Sequence, residues 1–167
     1  DIPSDDIQSG LSVASKISLI ILPAITLYGL LGNALVCVSI LRFANLRTVG
    51  NYYIMALAIA DLLVCSIVLP LAIYQEVNNG IWDLPTWLCD VWISMDVLMS
   101  TASIWQLCVI SLDRYFAVTK PHSYAAKRTP LSAVIAVSCA WTVSLLVSVP
   151  AFLFVGSSNV NKTKECV

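Results

Sequence analysis

Two carboxylates, one guanidinium and a set of cysteines lie in or beside long apolar runs of this 167-residue chain. Asn51 to Gln75 carries Asp61 as its only charge, and Val91 to Leu112 carries only Asp96. A carboxylate within hydrocarbon costs about 2.5–3.5 kcal/mol on insertion scales and marks a functional candidate. Asp96 suits the counter-ion of a cationic ligand, or else a helix–helix hydrogen bond. Asp61 suits a buried polar knot or an ion site equally well. On a helix turning about 100° per residue, Ser100 and Ser103 stay within about 40° of Asp96, and Arg114 returns to its azimuth about 27 Å further along. One polar stripe thus joins a carboxylate near one membrane face to a guanidinium near the other. The single histidine, His122, falls in a loop, and neither a metal-ligand set nor a nucleophile–base pair is visible. Catalysis has no footing here.

The elements that must position these groups follow from composition. Hydrophobic residues make up 59% and charged residues 11%, against roughly 25% charged in a soluble domain, and mean hydropathy is +0.86. That composition excludes a soluble enzyme, a nucleic-acid binder and a disordered chain. The net charge of -1 gives no bulk preference for acidic partners. Ile17 to Leu41 and Thr129 to Asn161 carry no charge at all. With the two Asp-bearing runs they make four stretches of the length a bilayer-spanning helix needs, about 20 residues. The expected fold is all-α and polytopic, with helices at about 16–42, 50–76, 88–118 and 129–155, the third the most buried. Residues 1–15 read as a flexible extracellular tail and 156–167 as the start of an extracellular loop. The chain opens on Asp1 with no charged leader before a short apolar stretch, so the first span is expected to serve as the insertion signal. Pro130 suits a first helical turn, whereas Pro23, Pro70 and Pro150 fall inside spans and should bend them.

Cations set the orientation, because Lys and Arg are retained on the cytoplasmic side. Six of the nine lie between the first and second or the third and fourth spans: Arg42, Arg47, Arg114, Lys120, Lys127 and Arg128. The loop from Glu76 to Asp90 has none. The N-terminus is therefore expected outside, which puts the sequon at Asn161 on the glycan-accessible face. Cys37, Cys65, Cys108 and Cys139 fall within spans, and only Cys89 and Cys166 reach the oxidising side. One disulfide between those two is expected, with two separate thiols as the alternative.

Gly32-Asn33, Leu57-Ala58-x-x-Asp61, Asp113-Arg114-Tyr115, Trp141 and the Cys89/Cys166 pair, in this order, resemble the first four helices of rhodopsin-like (class A) G-protein-coupled receptors. Asp96, seven residues after Cys89, begins Asp96-Val97-x-x-Ser100-Thr101-Ala102-Ser103, which resembles the biogenic-amine group. Tyr74-x-Glu76-Val77-x-x-Gly80-x-Trp82 and Cys89-Asp90-Val91 resemble dopamine receptors most, with serotonin, octopamine and tyramine receptors as alternatives.

The resemblance implies a plasma-membrane receptor that passes binding of a protonated amine to a heterotrimeric G protein. It implies that Asp96 pairs with the ammonium beside Val97, Ser100 and Thr101. Trp82 and Trp92 would wall the pocket, or else serve as interfacial belt residues. It places Asp61, Asn33 and Ser103 in a polar core able to hold an allosteric sodium ion, with no other cofactor. Asp113, Arg114, Tyr115, Pro121, His122 and Tyr124 fall on the G-protein side, where Arg114 would release Asp113 on activation. Helices five to seven would complete the pocket. Gly50 departs from the pattern where relatives carry Thr within reach of Asp113, leaving Tyr124 as its hydrogen-bond donor. His122 replaces a bulky apolar residue and Trp105 a smaller one. The reading from a different class is a four-span scaffold or an ion-coupled transporter with Asp61 and Asp96 on its path. Against it, no repeated, Gly-interrupted halves are visible.

Overall fold

A computed structural model describes residues 4–121, 124, 128–154 and 166, with 4–15 and 151–154 as backbone alone. His122 and Asn161 lie outside the described residues, as does most of the expected loop at 156–167. Four long helices account for nearly all of the structure: α1 (Ser4–Arg42), α2 (Val49–Val77), α3 (Thr86–Thr119) and α4 (Pro130–Phe154). All four contain a stretch long and apolar enough to cross a membrane. In lipid a helix is one of the two ways to pair every backbone N–H, so apolar runs of this length fold as helices. The all-α, four-span fold expected from the sequence is the fold observed.

Two expectations need correction. Helix α1 starts at Ser4, so the stretch read as a flexible tail is helical from Ser4 onward. Nucleation is the costly step in helix formation, and a span already nucleated extends cheaply into polar sequence. Nor is α3 the most buried helix: its apolar stretch is less buried than those of α2 and α4. One side of α3, with Asp96, Ser100, Ile104, Leu107 and Ser111, stands exposed.

Helix ends follow from local chemistry. Pro130 opens α4, and the residue before it joins a reciprocal cap. Ser132 N–H donates to Thr129 Oγ1 and Thr129 N–H to Ser132 Oγ, both at 3.2 Å. In α2 a π-helical turn, Val64–Val68, directly precedes the Leu69-Pro70 start of the last α-helical segment. Proline cannot donate a backbone hydrogen bond, and widening the preceding turn absorbs the mismatch.

Packing is inverted relative to a water-soluble bundle. Many of the buried residues are small, among them Ala58, Ala60, Ala102, Ala133, Ala140, Ser144 and Ser148. Leu31, Leu35, Ile104, Leu131 and Leu146 point outward. Lipid offers no hydrophobic drive between helices, so they associate where small side chains let backbones approach. Ser144 satisfies its hydroxyl on the carbonyl of Ala140 at 2.8 Å. Gly29 is one such approach, since a Cβ there would lie 2.5 Å from Cys65 Sγ on α2. The most extensive pairings are α1 against α2 and α3 against α4, followed by α2 against α3.

Candidate functional site

At one end of the bundle a disulfide joins Cys89, in the first turns of α3, to Cys166, with Cα atoms 5.8 Å apart. Both cysteines are buried with Trp82 in a small apolar cluster that Leu71, Leu84, Leu88, Trp92 and Ile93 enclose. Trp82 stacks on Trp92 with centroids 5.3 Å apart and planes 9° from parallel, and Tyr74 meets it edge-on at 6.4 Å. The Trp82 indole donates to Pro85 O at 3.4 Å, and that of Trp92 to Val68 O at 3.0 Å. Gln75 Nε2 donates to Cys166 O at 3.2 Å, tying α2 to the residue beyond α4. Trp82 is therefore packing beneath the disulfide rather than a belt residue facing lipid.

Further along α3 lies Asp96, exposed, with Ser100 Oγ donating to its Oδ1 at 3.4 Å. Val97 and Thr101 flank the pair and are half-buried. Among the described residues the one ion pair belongs to Asp113, so no protein cation answers Asp96. An exposed, uncompensated carboxylate one helical turn from Trp92 of the stacked indole pair can receive an ammonium by charge-assisted hydrogen bonding and cation–π attraction.

Midway along the bundle, Ser103 of α3 donates to Asp61 Oδ1 of α2 at 3.2 Å. Asn33 does not complete the expected trio through a bond of its own. Its amide donates to Gly29 O one turn back on α1, at 3.0 Å. A carbonyl on the same helix lies within reach of a short amide side chain without any interhelical fit.

At the other end Asp113 is buried, with one expected partner and one unexpected one. The carboxylate takes a two-pronged ion pair from Arg128, Nε to Oδ1 at 2.9 Å and Nη2 to Oδ2 at 2.6 Å. Tyr124 donates to Oδ1 at 3.0 Å, as the sequence led us to expect. Burial raises the Tyr124 hydroxyl above its ordinary pKa, and the bond to Asp113 adds to that. Arg114, Tyr115 and Pro121 are exposed. Among the described residues the ion pair of Asp113 is with Arg128, whose planar fork matches both carboxylate oxygens, and not with Arg114.

Residues 32–167 match the 7 transmembrane receptor (rhodopsin family). The chain belongs to that family. As a member of this receptor family it is a multi-pass membrane protein and not an enzyme. It is 40% identical to the human 5-hydroxytryptamine receptor 1B over 161 residues, 96% of this chain and 41% of that receptor. To the D(1A) dopamine receptor of Didelphis virginiana it is 46% identical over 120 residues, 71% of the chain and 26% of the receptor. A probable G-protein coupled receptor, No18, of Amphibalanus amphitrite is 41% identical over 149 residues, or 89% and 38%. The chain spans about two-fifths of the length of the first of these relatives.

Within this receptor fold, sequence reading missed Arg128, Gln75 and Gln106. Arg128 reads from sequence as a loop cation, although it is the charged residue nearest the start of α4. Gln75 gave no signal. Gln106 did, as the sole amide in an otherwise apolar stretch of α3; it is 2% exposed with neither side-chain polar atom partnered.

Proposed function

We propose that this chain is part of a receptor for a protonated biogenic amine, with Asp96 as the ammonium counter-ion. The exposed Asp96 carboxylate, with no cation against it among the described residues, carries the reading. Val97, Ser100, Thr101 and Trp92 form the near wall of the pocket, Trp82 supports Trp92 from behind, and helices five to seven supply the far wall. The relatives' names include serotonin (5-hydroxytryptamine) and dopamine receptors. Both amines carry an ammonium on a two-carbon arm from a hydroxylated aromatic ring. The resemblance of the Tyr74–Trp82 and Cys89-Asp90-Val91 segments to dopamine receptors favours dopamine, with serotonin, octopamine and tyramine as alternatives. In this reading the receptor sits in the plasma membrane with its N-terminus and the Cys89–Cys166 bond outside. Asp61 and Ser103 then form a sodium-linked core, and the Asp113-Arg114-Tyr115 end, with Pro121, His122 and Tyr124, meets a heterotrimeric G protein.

Competition binding of dopamine and serotonin to the full-length, surface-expressed protein tests this. Asp96→Asn keeps the shape and deletes the charge. Breaking a buried ion pair on one side costs about 3–5 kcal/mol, and contact with water softens that to about 2–4, or roughly 30- to 1000-fold in affinity. Affinity for the bound amine within about threefold of wild type would remove the basis of the assignment.

A further inference from the structure

We infer that Gly50 and Arg128 form one device: the bare backbone at Gly50 opens the berth in which Arg128 closes on Asp113, and this holds Asp113 away from Arg114. The inference rests on the reading that the Arg114 end meets a G protein, and it makes Arg128 a positioning residue for that surface.

Glycine is the poorest helix former after proline, yet Gly50 is the second residue of α2 and is buried. Space accounts for it. A Cβ at Gly50 would lie 2.7 Å from Arg128 Nη2 and 3.6 Å from Arg114 Nη2, so both guanidinium groups border the same gap. Only one of them holds the carboxylate. Arg128 takes both Asp113 oxygens while Tyr124 adds a third bond to Oδ1. The Asp113 side chain is 2% exposed and that of Arg128 27%, so the pair is shielded from solvent on the carboxylate side. With the carboxylate saturated, Arg114 has no acid partner among the described residues and stands exposed. The clamp also joins Tyr124 and Arg128 to α3, where Tyr124 packs on Phe116 with ring centroids 5.7 Å apart.

Any side chain at Gly50 collides first with the far end of a flexible arginine and not with backbone. Gly50→Ala is therefore a way to dislodge Arg128 without removing it. A double-mutant cycle in the full-length protein, read by thermal melting, decides the pairing. Gly50→Ala should lower Tm in the wild-type background and leave it unchanged or raised beside Arg128→Gln. If Arg128→Gln cannot be purified, Asp113→Asn serves as the second background, with the same expectation. Equal shifts in both backgrounds overturn the device. Agonist-independent nucleotide exchange on a G protein reads the positioning role. Arg128→Gln and Gly50→Ala should each lower it by about fivefold or more, as Arg114 takes the vacated carboxylate. Arg128→Lys should not restore it, because an ammonium cannot span both oxygens. Unchanged basal exchange beside non-additive melting overturns the positioning role and leaves a structural clamp. If the wild-type protein drives no exchange under any amine, the coupling reading fails, while the melting cycle still decides the pair.

Discussion

The Trp92 indole of α3 donates to the Val68 carbonyl of α2 at 3.0 Å, at the last residue of the π-helical turn. A carbonyl has two lone pairs, so this bond adds to the backbone ladder without replacing it. It also sets the plane of Trp92, and the near-parallel stack fixes Trp82 in turn. We expect Trp92→Phe to keep the stack and lose the bond. Interhelical hydrogen bonds in membranes average about 0.6 kcal/mol with a maximum near 1.7, so melting should fall slightly. Amine affinity should fall more than stability if Trp92 walls the pocket. Equal small losses in both would assign Trp92 to packing alone.

The Cys89–Cys166 bond closes a sequence separation of 77 residues. Constraints of this size contribute on the order of 3–5 kcal/mol in the chain-entropy model. Replacing both cysteines with Ser should lower Tm and expose Trp82, seen as a red shift in tryptophan emission. Ready alkylation of both thiols in native protein without reductant would contradict the bond.

Asp61→Asn keeps an oxygen that can accept from Ser103 and removes the charge. The fold should survive, and the sodium dependence of agonist affinity should be lost. An unchanged sodium response would leave Asp61 and Ser103 as an ordinary interhelical hydrogen bond.

Gln106 buries both polar atoms of its amide without a partner among the described residues. Leaving such groups dry costs about 1–3 kcal/mol, which an apolar residue of similar volume avoids. Gln106→Leu or Gln106→Met should therefore raise Tm. A fall in Tm for both would show that the amide is satisfied in the assembled protein.

Topology is open to glycan mapping. Asn161→Gln should remove a glycan from protein made in intact cells, while a sequon engineered between Arg42 and Gly50 should stay unmodified. Modification at the engineered site would reverse the orientation.

The amino-acid sequence alone determined how many helices form and what they lie in. Uncharged runs such as Ile17 to Leu41 declare themselves because transfer to hydrocarbon depends on local composition. The same partition left Cys89 and Cys166 as the pair to join, and helical periodicity placed Ser100 one turn from Asp96, where the hydrogen bond lies. Tertiary structure decided the partners across helices. Asp113 could face its sequence neighbour Arg114 or Arg128, and the choice turned on a gap at Gly50 that belongs to a third helix. Trp82 was open to two readings until the disulfide and the Trp92 stack buried it. The π turn in α2 adds a residue to one turn and so rotates everything after it by about 100°, which carries Gln75 to Cys166. Spacing along one helix cannot register such a rotation, because an azimuth has meaning only relative to the helix it meets.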